Sequence, residues 1–289
     1  MPFIMSKPLV AAAAPTAERW AVFLIGKPVS TSDWIEIAEI EMALSSGGAD
    51  ECSGGSVTNS AGWTNPANAF DNNTSNYANY VLSRGTKPYM GYVFGSAKAI
   101  THVRLRASTT PANMVTAFVV GYSTDGGSTW AYSDVITSFS AWSSGEEREF
   151  TLSFGASYSQ STALIWGVST DGKEIEELEF RATSGGADLA TGGGFLVDEA
   201  VNGSVAGLHV FSGTGDLWWP AGSSAYVQYV WATAQNPTYV AIRGSSTFGT
   251  PPAAIDVWWS PDGQTRNIVF SQTGITGYTN GVFKEFGPF

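Results

Sequence analysis

Apolar residues come in short runs along the chain, rich in β-branched and aromatic side chains. In the first half, Trp20 to Ile25, Ile35 to Leu44, Tyr89 to Phe94, His102 to Ala107 and Ala117 to Tyr122 are predicted strands. In the second half the runs are Leu164 to Val168, Ala225 to Trp231, Tyr239 to Arg243 and Ile255 to Trp259. Several alternate between apolar and polar residues. From Glu36 to Met42, Ile40 and Met42 share one face while Glu39 and Glu41 lie opposite, so the segment reads as a strand with one wet face. Asp-Gly pairs at 125–126, 171–172 and 262–263 punctuate the runs as turns. No helical period intervenes. The pattern therefore predicts an all-β protein, a sandwich or jelly roll.

The same pattern is written twice. Residues 36–50 read EIAEIEMALSSGGAD and residues 174–188 read EIEELEFRATSGGAD, 138 positions later. Tyr92-Val93-Phe94 returns as Tyr229-Val230-Trp231, Thr101 to Ser108 as Thr238 to Ser245, and Ser123 to Gly126 as Ser260 to Gly263, each 137 positions later. The spacing is too long for a solenoid unit and suits a whole domain. Two tandem β-sandwich domains are expected, at 19–157 and 158–289, joined near the small, polar stretch 155–161. Residues 1–18 read as an N-terminal arm rather than a cleaved signal, since the apolar stretch is short and broken by Pro8.

Composition narrows the classes. There are 14 Lys and Arg against 25 Asp and Glu, a formal net charge of −11, and only 13% of residues are charged. An acidic chain does not suit a nucleic-acid partner. No apolar run is long enough to insert in a membrane as a helix. Aromatics make up 13%, which excludes a disordered chain. The single cysteine, Cys52, rules out an intrachain disulfide.

Enzyme chemistry finds little footing. Of the two histidines, His102 reads as a strand-face or core residue. Cys52 follows Asp50-Glu51, an acidic setting that raises a thiol pKa, and reads as a loop thiol. Glu36, Glu39 and Glu41 match Glu174, Glu177 and Glu179, and Glu146, Glu147 and Glu149 follow near the end of the first copy. Such carboxylates suggest glycosidase pairs, but alternation on an exposed strand yields them without any catalytic purpose. A solvated or interfacial acidic strand is expected, and no catalytic residue.

One order of motifs is informative. Asn68-Ala69-Phe70-Asp71-Asn72-Asn73-Thr74-Ser75-Asn76-Tyr77 precedes the strand Gly91 to Gly95, and Tyr122 to Trp130 later carries a Ser-Thr-Asp-Gly hairpin. This resembles a discoidin-like (galactose-binding-like) domain, related to the coagulation-factor C-type module. The second copy keeps mainly the hairpin, and its Val210-Phe211-Ser212-Gly213 lacks the counterpart of Asp71. The resemblance implies jelly rolls, a core position for Tyr77, and sugar binding as the common role. Aromatic and polar candidates for that role are Trp63, Tyr80, Arg84 and Trp130 in the first copy and Trp218, Trp219 and Trp258 in the second. For Trp258 and Trp259, one indole is expected inward and the other under a neighbouring chain.

Asp71, Asn73 and Thr74 offer oxygen donors of the kind Ca²⁺ takes, with an Asx-capped turn as the plain alternative. The resemblance adds a structural Ca²⁺ at this loop, completed by a glutamate of the last strand, Glu146 or Glu149. No other cofactor is expected.

Tandem modules behind an arm resemble bacteriophage tail and fibre accessory proteins. The expected function is a non-enzymatic virion structural protein of a tailed bacteriophage, in the tail, collar, head decoration or fibre. Its partners would be other virion proteins, further copies of itself, and host surface glycans. The alternative is a secreted or cell-surface carbohydrate-binding protein.

Overall fold

The computed structural model describes residues 14–28, 34–81, 88–138, 140–171, 175–191, 193–198, 210–211, 225–244 and 251–289. Among these residues the chain is all-β, with only short 3-10 turns. In chain order the strands of the first half are β1 (Ala17–Pro28), β2 (Trp34–Ala43), β3 (Ser56–Asn59), β4 (Trp63–Thr64), β5 (Ala78–Val81), β6 (Tyr89–Lys98), β7 (His102–Ala107), β8 (Ala117–Ser123), β9 (Ala131–Tyr132), β10 (Ile136–Thr137) and β11 (Glu147–Thr151). Those of the second half are β12 (Ile165–Thr170), β13 (Ile175–Arg181), β14 (Gly194–Asp198), β15 (Ala225–Val230), β16 (Tyr239–Gly244), β17 (Ala254–Ser260), β18 (Asn267–Thr273) and β19 (Phe283–Phe286). The β-branched and aromatic runs of the sequence thus become strands within a residue or two at most ends.

The repeat in the sequence is a repeat in topology. In the first half the strands run β3-β6-β1-β8 in one sheet and β11-β7-β2 in another, all antiparallel. In the second half β14-β15-β12-β17 and β19-β16-β13 repeat both orders. Local bonds repeat as well. The Tyr92 hydroxyl accepts the Gly55 N–H at 2.9 Å, and the Tyr229 hydroxyl accepts that of Gly193 at 2.8 Å. Asp50 accepts the N–H groups of Met42 and Cys52, and Asp188 those of Phe180 and Ala190.

Alternate residues of β1 and β8 go to opposite faces, and both faces are buried. Trp20, Val22, Leu24, Phe118 and Val120 belong to the inner core. Ala21, Phe23, Ile25, Ala117 and Val119 face the other way, into a second cluster. That cluster is completed by Ile165, Tyr226, Val230 and Trp258 of the second half. The outer faces of β1/β8 and of β12/β15/β17 therefore pack on each other. Glycine makes room on each side. A Cβ on Gly121 would lie 2.6 Å from the Phe23 ring, and one on Gly167 would lie 2.2 Å from the Trp258 indole.

Backbone bonds reinforce this packing. The end of β1 pairs with β14, Lys27 opposite Phe195 and Pro28 opposite Gly194, so one sheet runs through both halves. Buried Gln228 donates from Nε2 to the Ile25 carbonyl at 2.9 Å. The halves are welded rather than strung on the stretch 155–161. Trp258, expected inward or under a neighbouring chain, is buried on the outer face of its own sheet, in the cluster that residues of both halves share.

Truncating Phe23 to alanine removes a large ring from this shared cluster and is expected to cost about 3–5 kcal/mol. Chemical denaturation should still show one cooperative transition for the wild type; two separate transitions, or a loss well under a kilocalorie, would contradict the coupling.

Candidate functional site

The acidic strand is not a wet edge. Glu36 is buried, accepting from Ser108 Oγ at 2.7 Å and Asn113 Nδ2 at 2.9 Å. Glu39 is 2% exposed and accepts the Asn72 N–H at 3.2 Å. Glu41 pairs with Arg104 from the neighbouring β7. In the second half Glu177 and Glu176 pair with Arg243 at 2.9 and 3.3 Å, and Glu179 with Arg181. Glu174 lies outside the described residues. Glu39 and Glu41 do lie opposite Ile40 and Met42, but the register shifts between Ile37 and Glu39, and the polar face is covered by the arginines of β7, β13 and β16 and by loops. Alternation reports which residues share a face, and water is not the only thing that can cover that face.

These carboxylates are spent on structure. Glu149 accepts from Ser46 Oγ and the Gly47 N–H, and Glu285 accepts from Ser184 Oγ and the Gly185 N–H, so each last strand clamps the Ser-Gly-Gly turn of its half. Glu146 holds Arg148 and the Ser143 N–H. Glu147 faces Arg106 at 3.7 Å.

Glu39 differs from its counterpart. Glu177 has the guanidinium of Arg243 within hydrogen-bond reach, whereas Arg106, opposite Glu39 in register, turns to Glu147. Oε2 of Glu39 is buried without a hydrogen-bond partner. Burial, then the nearby Asp71, Glu41 and Asp50, push its carboxyl up to about 7, against the lowering effect of the Asn72 N–H.

The donor set for Ca²⁺ is not assembled. Asp71 accepts the Asn73 N–H on Oδ1 and Asn76 Nδ2 on Oδ2, both at 2.9 Å. Asn73 Oδ1 takes the Ser75 N–H at 3.2 Å. This is an Asx-capped turn closed on itself. Thr74 lies in the same exposed loop, while Glu146 and Glu149 are committed elsewhere. Among the described residues, no group of three or more His, Cys, Asp or Glu is placed to hold a metal ion. The residues present do not fit the Ca²⁺ site that the resemblance implied.

The aromatic candidates divide. Tyr80 is fully buried and Trp63 nearly so, with ring centroids 5.3 Å apart, so neither has a face to lay on a sugar. Their place in the core corrects the expectation. Trp130 packs edge-on to Phe23 at 5.1 Å and joins the seam. Tyr77, expected in the core, is 37% exposed. Arg84, Trp218 and Trp219 lie outside the described residues. Trp34, at the start of β2, is 43% exposed and was not singled out by the sequence. Its signal was available only as an aromatic directly after the turn-type pair Ser32-Asp33.

His102 has a threonine hydroxyl at each ring nitrogen, Thr101 at 2.8 Å and Thr151 at 3.2 Å, which suits a structural strand residue. The Cys52 thiol is buried and pushed far above its ordinary value, by burial first and then by Asp50, which disfavours the thiolate. No helix among the described residues is long and apolar enough to cross a membrane.

Comparison with protein-family models, with curated proteins and with solved structures finds no match.

Glu39 makes a specific pH dependence. Its folded-state pKa lies above the ordinary 4.5, so the folded chain holds a proton that the unfolded chain releases. Its contribution to stability is complete below 4.5 and is lost as the pH rises to about 7. Glu39→Gln keeps the acceptor for Asn72 and removes the titration. Thermal melts between these two pH values should fall more steeply for the wild type than for the variant; parallel curves would contradict the assignment.

Proposed function

We propose that the chain is a non-enzymatic structural protein of a tailed-bacteriophage virion, a tail, collar, head-decoration or fibre component. It is built from two tandem galactose-binding-like jelly-roll modules, 19–157 and 158–289, behind an arm expected over residues 1–18, of which Ala17 and Glu18 already belong to β1. The observation that carries this reading is the seam. Each half covers an outer sheet face of the other, through Phe23, Ile25, Tyr226 and Trp258, and a sheet continues across the join. Two recognition modules on a free lectin need only a tether, whereas a subunit that transmits force needs its modules fixed in orientation. The pairing of Glu36, Glu41, Glu176, Glu177 and Glu179 with hydroxyl, amide and arginine groups points the same way, since it spends these carboxylates on holding strands together. Partners in this reading are other virion proteins and further copies of the chain, with host glycans as a surface contact.

The second reading is a secreted or cell-surface carbohydrate-binding protein. Exposed Trp34 favours it, because an indole half open to solvent can stack on a pyranose face.

Immunogold electron microscopy of particles from the native source separates the two. The structural reading expects regular labelling at one position on the particle. Label confined to the soluble fraction or to cell surfaces would contradict it and support the carbohydrate-binding reading.

A further inference from the structure

On the outer face of β1, at the end away from the seam, Arg19 lies between Val93 of β6 and Ser123 of β8. Across Ala17 to Arg19 the register on β6 jumps from Lys98 to Val93, so residues 94–97 bulge out of the ladder. The bulge opens a cavity of about 330 Å³ lined by Glu18, Arg19, Val93, Ala97, Thr124 and their neighbours. Its size is at the small end of ligand sites, roughly 300–1,000 Å³.

Arg19 is unusual in this molecule. Among the described residues the other arginines have an acidic or aromatic partner: Arg104, Arg106, Arg148, Arg181 and Arg243 face glutamates, and Arg266 lies over Tyr226. Arg19 has no ion pair there; its Nε is buried without an acceptor, as are those of Arg106 and Arg243. The nearest hairpin carboxylate, Asp125, is taken by Ser123 Oγ at 2.7 Å and by Thr129 N and Oγ1 at 3.0 and 2.7 Å. Gly127, at φ 94°, leaves the guanidinium its place, because a Cβ there would lie 2.4 Å from Arg19 Nη1.

We infer that this cavity binds an acidic sugar, its carboxylate on the Arg19 guanidinium. The planar fork of arginine matches a carboxylate in bidentate fashion. The remaining lining supplies what a sugar ring needs. Glu18, Thr16 and Thr124 line the cavity and can meet ring hydroxyls, while Val93, Ala17 and Ala97 give a small apolar floor. Ser123 is committed to the hairpin and serves only to hold the turn. Glu18 and the net charge of −11 disfavour a doubly charged phosphate or sulfate and tolerate a single carboxylate. The inference does not depend on the virion reading, since the purified chain would bind the sugar with or without a particle.

The test is titration calorimetry on the full chain with glucuronate, glucose, acetate and inorganic phosphate as separate probes. Saturable binding of glucuronate is expected, with the other three weaker by about tenfold or more. Arg19→Met and Ala97→Glu should each abolish it, the second by placing a repelling charge at an exposed lining position with the core intact. Absence of saturable glucuronate binding, equal binding of phosphate, acetate or glucose, or unchanged binding by both folded variants would overturn the inference. If the Arg19 variant does not fold, the Ala97 variant alone decides.

Discussion

The packing of two outer sheet faces around Phe23, Tyr226 and Trp258 is the constraint on which the rest of the molecule depends. A sandwich sheet of this kind ordinarily keeps one face for the core and one for water. Here β1 and β8 are buried on both faces, which is why their runs are apolar almost without interruption. Phe23 touches Tyr89, Trp130 and Tyr132 at ring-centroid distances of 5.0 to 5.1 Å. Trp258 donates to Ser169 Oγ at 3.0 Å and meets Tyr226 edge-on. The join also sets local chemistry, since burial and then Asp262 of the second half push the Tyr132 phenol of the first up to about 12. The aromatic surplus of the composition is thus largely structural.

The strands were legible because their period is 2 and their punctuation is Asp-Gly. The Ser-x-Asp-Gly hairpins show why punctuation survives duplication. Asp125 and Asp262 each accept from a threonine four or three residues on and from the preceding serine, so the short sequence carries its own closure. The repeat was legible for the same reason: Asp50 and Asp188, or Tyr92 and Tyr229, make the same bonds in each half.

What was illegible depends on partners distant in sequence. Nothing in the segment from Glu36 to Glu41 says that Arg104, Ser108, Asn113 and the loop at Asn72 will cover it. Nothing near Trp258 says that it will join one cluster with residues of β1, more than two hundred residues earlier. Trp63 and Tyr80 look like surface aromatics by their polar surroundings, yet the short β4–β5 pairing turns both rings inward. Arg19 escaped notice because its distinction lies in having no ion pair among the described residues, which only three dimensions reveal. The resemblance to discoidin-like domains foresaw a Ca²⁺ loop that the donor geometry does not assemble, and a buried Tyr77 that lies half open.

The central claim is that the two halves form one body through this seam. Hydrogen exchange on the intact chain, read by mass spectrometry over β1, β12 and β15, tests it most directly. Amides at 24–27 and 225–230 should exchange only by global opening, as slowly as those of the inner core. Rapid exchange at 24–27, with protection confined to each half separately, would contradict it.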